Sequence, residues 1–174
     1  MAFFLELLKL TLPSLIVFLT AYFVLKQYLD HQQQMKMMEL KQNTSSTTLP
    51  LKLQAYERLS LFCERISIPS LILRLNTPDV NIQTLRYSML ISIQKEFEHN
   101  ITQQMYVSEQ LWKIIKLASD HTVDTINFIA SKEEPGSSAE IFVEAYYKFQ
   151  EASKLEPLEK ALAAIKQEAA MYLA

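Results

Sequence analysis

The sequence is most unusual in its shortage of glycine and cysteine, with one residue of each among 174. Glycine ordinarily makes up about 7 per cent of a protein, and it supplies the tight turns of hairpins and the loops around nucleotide phosphates. No Gly-rich phosphate loop, Gly-x-Ser-x-Gly motif or Cys-x-x-Cys motif is present. A single cysteine cannot form an internal disulfide, which agrees with a reducing compartment. The composition therefore favours helices joined by few tight turns, and no motif indicates a cofactor.

The sequence also lacks an excess of positive charge. Its 17 Lys and Arg residues are set against 19 Asp and Glu, which gives a formal net charge of −2. Because proteins that bind nucleic acid ordinarily carry a basic patch or stripe, we expect no nucleic-acid partner.

The clearest positive feature is an apolar run without charge from Leu10 to Leu25, flanked by Lys9 and Lys26. Residues 2–8 extend it to the roughly 20 residues that cross a hydrocarbon core as a helix. The run predicts an uncleaved transmembrane anchor over residues 1–25. A cleaved signal peptide is one alternative, but neither an early basic cluster nor an Ala-x-Ala site accompanies the run. A buried helix in a soluble core is the other.

The positions of the lysines predict the orientation of this anchor. Residues 26–52 carry Lys26, Lys36, Lys41 and Lys52, whereas the other side carries Lys9 and the α-amino group. An excess of Lys and Arg next to a span marks the cytoplasmic side. We therefore expect the part of the chain after the anchor to be cytoplasmic.

Two segments follow the anchor before any regular apolar pattern begins. Residues 26–42 are rich in Gln and Met, and we interpret them as a helical stalk that continues the anchor. Residues 43–49 begin Asn-Thr-Ser-Ser-Thr-Thr, a polar stretch of weak helix propensity. This stretch predicts a linker.

From residue 50 onward, apolar residues recur at the three- and four-residue spacing of helices that bury one face. Pro69 predicts the end of the first of these helices, and Ser108 is placed to cap a later one. The longest apolar stripe comprises Leu85, Met89, Ile93, Phe97, Ile101 and Met105. Short connections favour antiparallel neighbours. We therefore predict an all-α protein in which residues 50–174 form an up-and-down bundle of four to five helices.

Two stretches of the bundle carry a resemblance. They are Leu51–Ile66, with the sequence LKLQAYERLSLFCERI, and Glu96–Ser108, with the sequence EFEHNITQQMYVS. Together with the N-terminal apolar run, they resemble a family of small, uncharacterised single-span membrane proteins from Bacteroidota. The resemblance implies a single-pass protein of the bacterial inner membrane. It implies no activity and assigns no functional residue.

A metal site is one chemical hypothesis. Glu96 and His99 are three apart on a predicted helix, and a Glu-x-x-His pair is half of the motif that holds di-metal centres in helical bundles. Glu57 or Glu64 of the first bundle helix could add a carboxylate. The alternative is that Glu96, Glu98 and His99 pair with Arg58 or Arg65 across a helix interface.

Two groups of side chains are candidates for contact with a partner. They are Tyr56, Glu57, Arg58 and Arg65 on the first bundle helix, and Tyr146, Tyr147 and Phe149 on a later helix. Arginine can hold a carboxylate through two parallel hydrogen bonds and so fix the register of two helices, or it can bind a phosphate or a lipid headgroup. Aromatic residues are enriched at protein interfaces.

Catalysis has little support in the sequence. Cys63, His99 and Asn100 are the residue types of a thiol hydrolase, but Cys63 follows Phe62 in an apolar segment where cysteine usually acts as a small hydrophobe. We therefore expect a membrane-anchored, non-enzymatic scaffold that recruits a partner, or a second copy of itself, at the cytoplasmic face of the membrane. The alternative is a metal-binding bundle that uses Glu96 and His99.

Overall fold

A computed structural model describes the backbone of residues 2–77, 79–134, 136–152 and 157–173. It describes the side chains of the same residues except 2–14 and 40–45.

The described chain is entirely helical. It contains α1 (Ala2–Ile66), α2 (Ile68–Leu75), α3 (Ile82–Asn100), a 3₁₀ helix (Ile101–Met105), α4 (Glu109–Ser131), α5 (Ala139–Ala152) and α6 (Pro157–Leu173). No strand occurs in these ranges, and an isolated bridge joins Asn81 to Ser138. The prediction of an all-α protein is confirmed.

The chain divides into two compact units, Met1–Thr48 and Leu49–Ala174. The division falls within the segment predicted as a linker, but the backbone of residues 43–49 is α-helical and belongs to α1. Threonine and serine cost only up to about 0.7 kcal/mol per residue in a helix relative to alanine. A helix that extends in both directions can therefore pass through such a stretch. The backbone here is helical, whereas the sequence predicts a linker.

In the first unit, every described side chain from Leu15 to Glu39 is exposed. The predicted anchor at residues 1–25 lies partly outside the described side chains, because those of residues 1–14 are not included. Among the residues described, no helix combines the length and the apolar character needed to cross a membrane. The backbone of residues 26–42, the predicted stalk, is α-helical.

The second unit is built on the C-terminal part of α1, which buries Ala55, Leu59, Phe62 and Ile66 along one face. α1 ends at Ile66, and Ser67 leaves the helical conformation with φ −60° and ψ 138°. Pro69 then lies in the first turn of α2, where its missing N–H is not needed. The predicted stop of the first bundle helix is confirmed.

The longest predicted stripe is correct in its first half only. Leu85, Met89 and Ile93 are buried in α3, whereas Ile101 is 41% exposed and Met105 is 81% exposed. The reason is that α3 ends at Asn100 and a 3₁₀ helix follows. A 3₁₀ helix has about 3.0 residues per turn instead of 3.6, so residues spaced by four no longer share one face.

Helix α4 packs against α3, α5 and α6. Its N-cap is Ser108, whose side-chain oxygen accepts a hydrogen bond from the backbone N–H of Leu111 at 3.1 Å. The predicted cap is therefore confirmed. The predicted stripe of α4 is buried at all six positions, Leu111, Ile115, Ala118, Thr122, Ile126 and Ile129.

Two connecting segments are joined by backbone hydrogen bonds. The N–H of Ile82 donates to the carbonyl of Ser137 at 2.9 Å, and the N–H of Ala139 donates to the carbonyl of Val80 at 3.0 Å. These bonds hold the start of α3 beside the start of α5.

Candidate functional site

A small cavity of about 120 Å³ lies where α1 meets the last turn of α3. Its lining consists of Arg58, Leu61, Phe62, Arg65, Glu96, His99 and Asn100. Arg58 and Arg65 share a face of α1 because they are seven residues, or about two turns, apart. The structure therefore brings together both sequence-predicted arginines and the predicted Glu-x-x-His pair.

One ion pair crosses this cavity. A terminal nitrogen of Arg65 lies 2.9 Å from Oε1 of Glu96, and the exposed fraction is 57% for the Arg65 side chain and 15% for the Glu96 side chain. The pair joins α1 to α3 beside the cavity. Asn100 is buried, and its amide nitrogen donates to the backbone carbonyl of Glu96 at 2.8 Å.

The other arginine is differently placed. Arg58 is exposed and makes no hydrogen bond or ion pair with the residues that the structure describes. Its five N–H donors are thus available at the cavity. Arg65 therefore pairs with a carboxylate of another helix, whereas Arg58 does not.

Glu96 and His99, the two residues of the metal hypothesis, both line this cavity. The additional carboxylates of that hypothesis do not. Glu64 lines a different cavity, and Glu57 lines neither. Within the described ranges, no three side chains of His, Cys, Asp or Glu are grouped so that they could hold a metal ion. The Glu96 carboxylate contacts Arg65 instead. A metal at Glu96 and His99 stays a prediction.

A second cavity, of about 280 Å³, lies among α1, α2, α4, α5 and α6. Cys63 lies at its wall and is 1% exposed. Burial, and then the charge of Glu64, raises the pKa of the Cys63 thiol to about 12. The thiol is therefore protonated at neutral pH and is a poor nucleophile. His99 and Asn100 line the smaller cavity, so the residue types of a thiol hydrolase do not form one site.

The three aromatic candidates on α5 differ in exposure. Tyr146 is buried, and Tyr147 is 49% exposed with its ring edge-on to that of Tyr146 at 5.4 Å. Phe149 is half-buried and packs against the ring of Phe128 at 5.8 Å. Tyr147 is therefore the member of this group that faces outward.

Tyr56 is buried and takes part in a cluster that the sequence did not reveal. Its hydroxyl donates to Oε1 of Glu168 at 3.1 Å, and the backbone N–H of Ser108 donates to the same oxygen at 2.9 Å. The Ser108 hydroxyl donates to the other carboxylate oxygen. Burial, followed by the hydrogen bond to Glu168, raises the pKa of the Tyr56 hydroxyl. Glu168 thus ties α6 to both α1 and the N-terminus of α4.

No local pattern indicates this role for Glu168, since its partners lie 60 and 112 residues away in the sequence. The capping residue Ser108 is the one visible signal, because a helix N-terminus attracts a carboxylate.

Comparison with known proteins identifies a family. A family model matches residues 2–172, and the chain belongs to that family, DUF7935, a family of unknown function. No curated protein and no solved structure matches the chain.

Proposed function

For this member of DUF7935, we propose a non-enzymatic scaffold that is anchored in the bacterial inner membrane through residues 1–25. Residues 49–174 lie in the cytoplasm in this proposal, where they hold a partner or a second copy of the chain. Tethering raises the effective concentration of such a partner at the membrane without requiring any new contact.

The observation that carries the proposal is the surface of α1 between Leu15 and Leu25. This segment carries no charge, and its residues are exposed on every side of the helix. They include Leu15, Ile16, Val17, Phe18, Leu19, Tyr22, Phe23, Val24 and Leu25, which are 44–69% exposed. A helix that is apolar all round is stable when protein or lipid covers it. Lipid is the covering that the charge-free run and its flanking lysines favour.

The scaffold part of the proposal rests on the composition of the second unit. Its one cysteine is buried and protonated, and its exposed aromatic side chains, which include Tyr87, Phe128 and Tyr147, are available for contact. Aromatic side chains are favoured at interfaces. A homodimer is the first form to test, since closed pairs of identical chains are the commonest assemblies.

Membrane fractionation tests the anchor. We expect the full chain to stay in the membrane pellet after carbonate extraction, and the double variant Val17→Lys/Val24→Lys to move to the supernatant. The matched control is Met35→Lys/Met38→Lys, which adds the same charge to exposed positions of α1 outside the run. Release of the unaltered chain by carbonate would exclude an integral anchor.

Orientation and partner need separate measurements. A fluorescent protein fused after Ala174 should be bright and alkaline phosphatase at the same place should be inactive; the reverse result would place the second unit outside the cytoplasm.

Cross-linking in native membranes, with mass spectrometry of the products, should yield a dimer or a recurrent partner. A monomer that captures nothing would contradict the scaffold.

A further inference from the structure

We infer that the cavity between α1 and the last turn of α3 binds a phosphate group through Arg58 and Arg65. The inference rests on the second unit alone and does not depend on the proposed anchor or scaffold role.

The charged side chains that line the cavity are positive on balance. Two guanidinium groups and one imidazole line it together with one carboxylate, although the chain as a whole has a formal net charge of −2. A local positive balance on an acidic protein attracts an anion and repels a cation.

Both arginines have unused hydrogen-bonding capacity. Arg65 uses one terminal nitrogen on Glu96, and a guanidinium carries five N–H donors in a planar fork. Arg58 has no partner among the described residues. Arginine recognises phosphate through two parallel charge-assisted hydrogen bonds. A phosphate group can therefore accept from both arginines while the Arg65–Glu96 pair stays intact.

The carboxylate of Glu96 is less exposed than the guanidinium of Arg65 that it contacts. The contact restricts the Arg65 side chain before any ligand binds, and so lowers the rotamer freedom that binding would remove.

The size of the cavity suits a small anionic group. Its volume of about 120 Å³ is several times the smallest space that holds one water molecule. This space accommodates one phosphate group and leaves the rest of a ligand outside. Leu61, which is 53% exposed, and the buried Phe62 form the apolar part of the lining. The phosphate group can belong to a soluble phosphate ester or to a lipid headgroup.

The test uses the three histidines of the full chain as reporters. His99 lines the cavity, His121 lines the other cavity, and His31 lies in the first unit. The chain, labelled at histidine and held in a maltoside detergent that contains no phosphate, is titrated with inorganic phosphate at fixed pH and ionic strength. We expect a saturable change in the His99 ring signals, while those of His31 and His121 stay in place.

Arg58→Gln should raise the phosphate concentration that gives the half-maximal His99 response about tenfold or more, which corresponds to about 1.4 kcal/mol. Lys116→Gln is the matched control, because it removes one positive charge from an exposed position of α4 outside the cavity. Circular dichroism of both variants should match that of the unaltered chain, since Arg58 and Lys116 are exposed. Equal titrations of Arg58→Gln and the unaltered chain would overturn the site, as would a linear response shared by all three histidines.

A second arm separates the sources of the phosphate group. The chain is placed in nanodiscs of phosphatidylcholine with and without phosphatidic acid. A His99 shift with phosphatidic acid that Arg58→Gln removes assigns the site to a lipid headgroup. A response to inorganic phosphate without a response to phosphatidic acid assigns it to a soluble ester. No response in either arm refutes the inference, and carbonate extraction reports on the anchor independently.

Discussion

At the scale of single residues, Glu168 is a side chain on which three long-range hydrogen bonds converge. It accepts from the Tyr56 hydroxyl and from both the backbone N–H and the hydroxyl of Ser108. Ser108 at the same time caps α4 by accepting from Leu111. One carboxylate therefore connects three helices, and each bond to it is charge-assisted.

Replacing this carboxylate should destabilise the fold measurably. Glu168→Gln keeps the size of the side chain but removes its charge and turns one acceptor into a donor that faces Tyr56 or Ser108. We expect a loss of about 1–3 kcal/mol in the free energy of unfolding, the usual cost when a hydrogen-bonded charge is lost. Urea unfolding followed by circular dichroism measures it.

The matched control for this prediction is Glu57→Gln, the same change at an exposed position of α1. Its unfolding midpoint should equal that of the unaltered chain. Equal midpoints for Glu168→Gln and Glu57→Gln would show that the bonds to Glu168 contribute nothing to stability.

At the scale of elements, an aromatic row joins three helices. The ring of Phe97 in α3 lies 6.3 Å from that of Phe62 in α1 and 5.8 Å from that of Trp112 in α4, measured between centroids. Aromatic pairs at such separations are worth about 0.5–1.5 kcal/mol beyond the area that they bury. This row lies directly beside the arginine cavity, because Phe62 lines that cavity too.

We expect Phe97→Ala to lower the free energy of unfolding by about 2–4 kcal/mol, somewhat less than a fully buried Phe would cost, because Phe97 is half-buried. Trp112 is the only tryptophan of the chain, so its fluorescence should report the change directly. Ile91→Ala, at a position of α3 that is 54% exposed, should leave both stability and fluorescence unchanged. A native-like emission spectrum and midpoint in Phe97→Ala would refute the prediction.

The elements also show where sequence patterns suffice and where they do not. The buried face of α1, the stop before Pro69, the cap at Ser108 and the stripe of α4 follow from local rules of spacing and capping. The end of α3 does not follow from these rules. The apolar spacing continues in the sequence through Ile101 to Met105, but both residues are exposed in the structure. What ends the helix there is a change of helical type, and side-chain periodicity does not encode it.

The candidate site divides in the same way. Spacing on one helix predicts that Arg58 and Arg65 share a face, and that Glu96 and His99 share another. That the two pairs meet, and that Cys63 and His99 do not, depends on how α1 packs on α3. No pattern within either helix specifies that packing. The sequence therefore leaves the ion pair of Arg65 and Glu96 as one alternative among several.

At the scale of the whole molecule, the division between Thr48 and Leu49 gives two units with different surfaces. The first exposes all of its described side chains from Leu15 to Glu39, whereas the second contains the buried core. We therefore expect residues 49–174 to fold without the first unit.

This prediction is tested by expressing residues 49–174 alone. We expect a helical circular dichroism spectrum and a single cooperative unfolding transition, as is usual for single domains of this size. Glu168→Gln should destabilise the excised unit by the same amount as the full chain. A broad, non-cooperative transition would mean that the second unit needs the first.

The bond between Tyr56 and Glu168 spans 112 residues, and this separation has a consequence for synthesis. At about 5–20 residues per second, the ribosome completes Glu168 roughly 6–20 s after Tyr56. The apolar face of α1 therefore emerges well before the helix that covers part of it. Nascent chains in that interval present Leu59 and Phe62 to whatever binds unfolded protein, so chaperone dependence should be greatest when translation is slow.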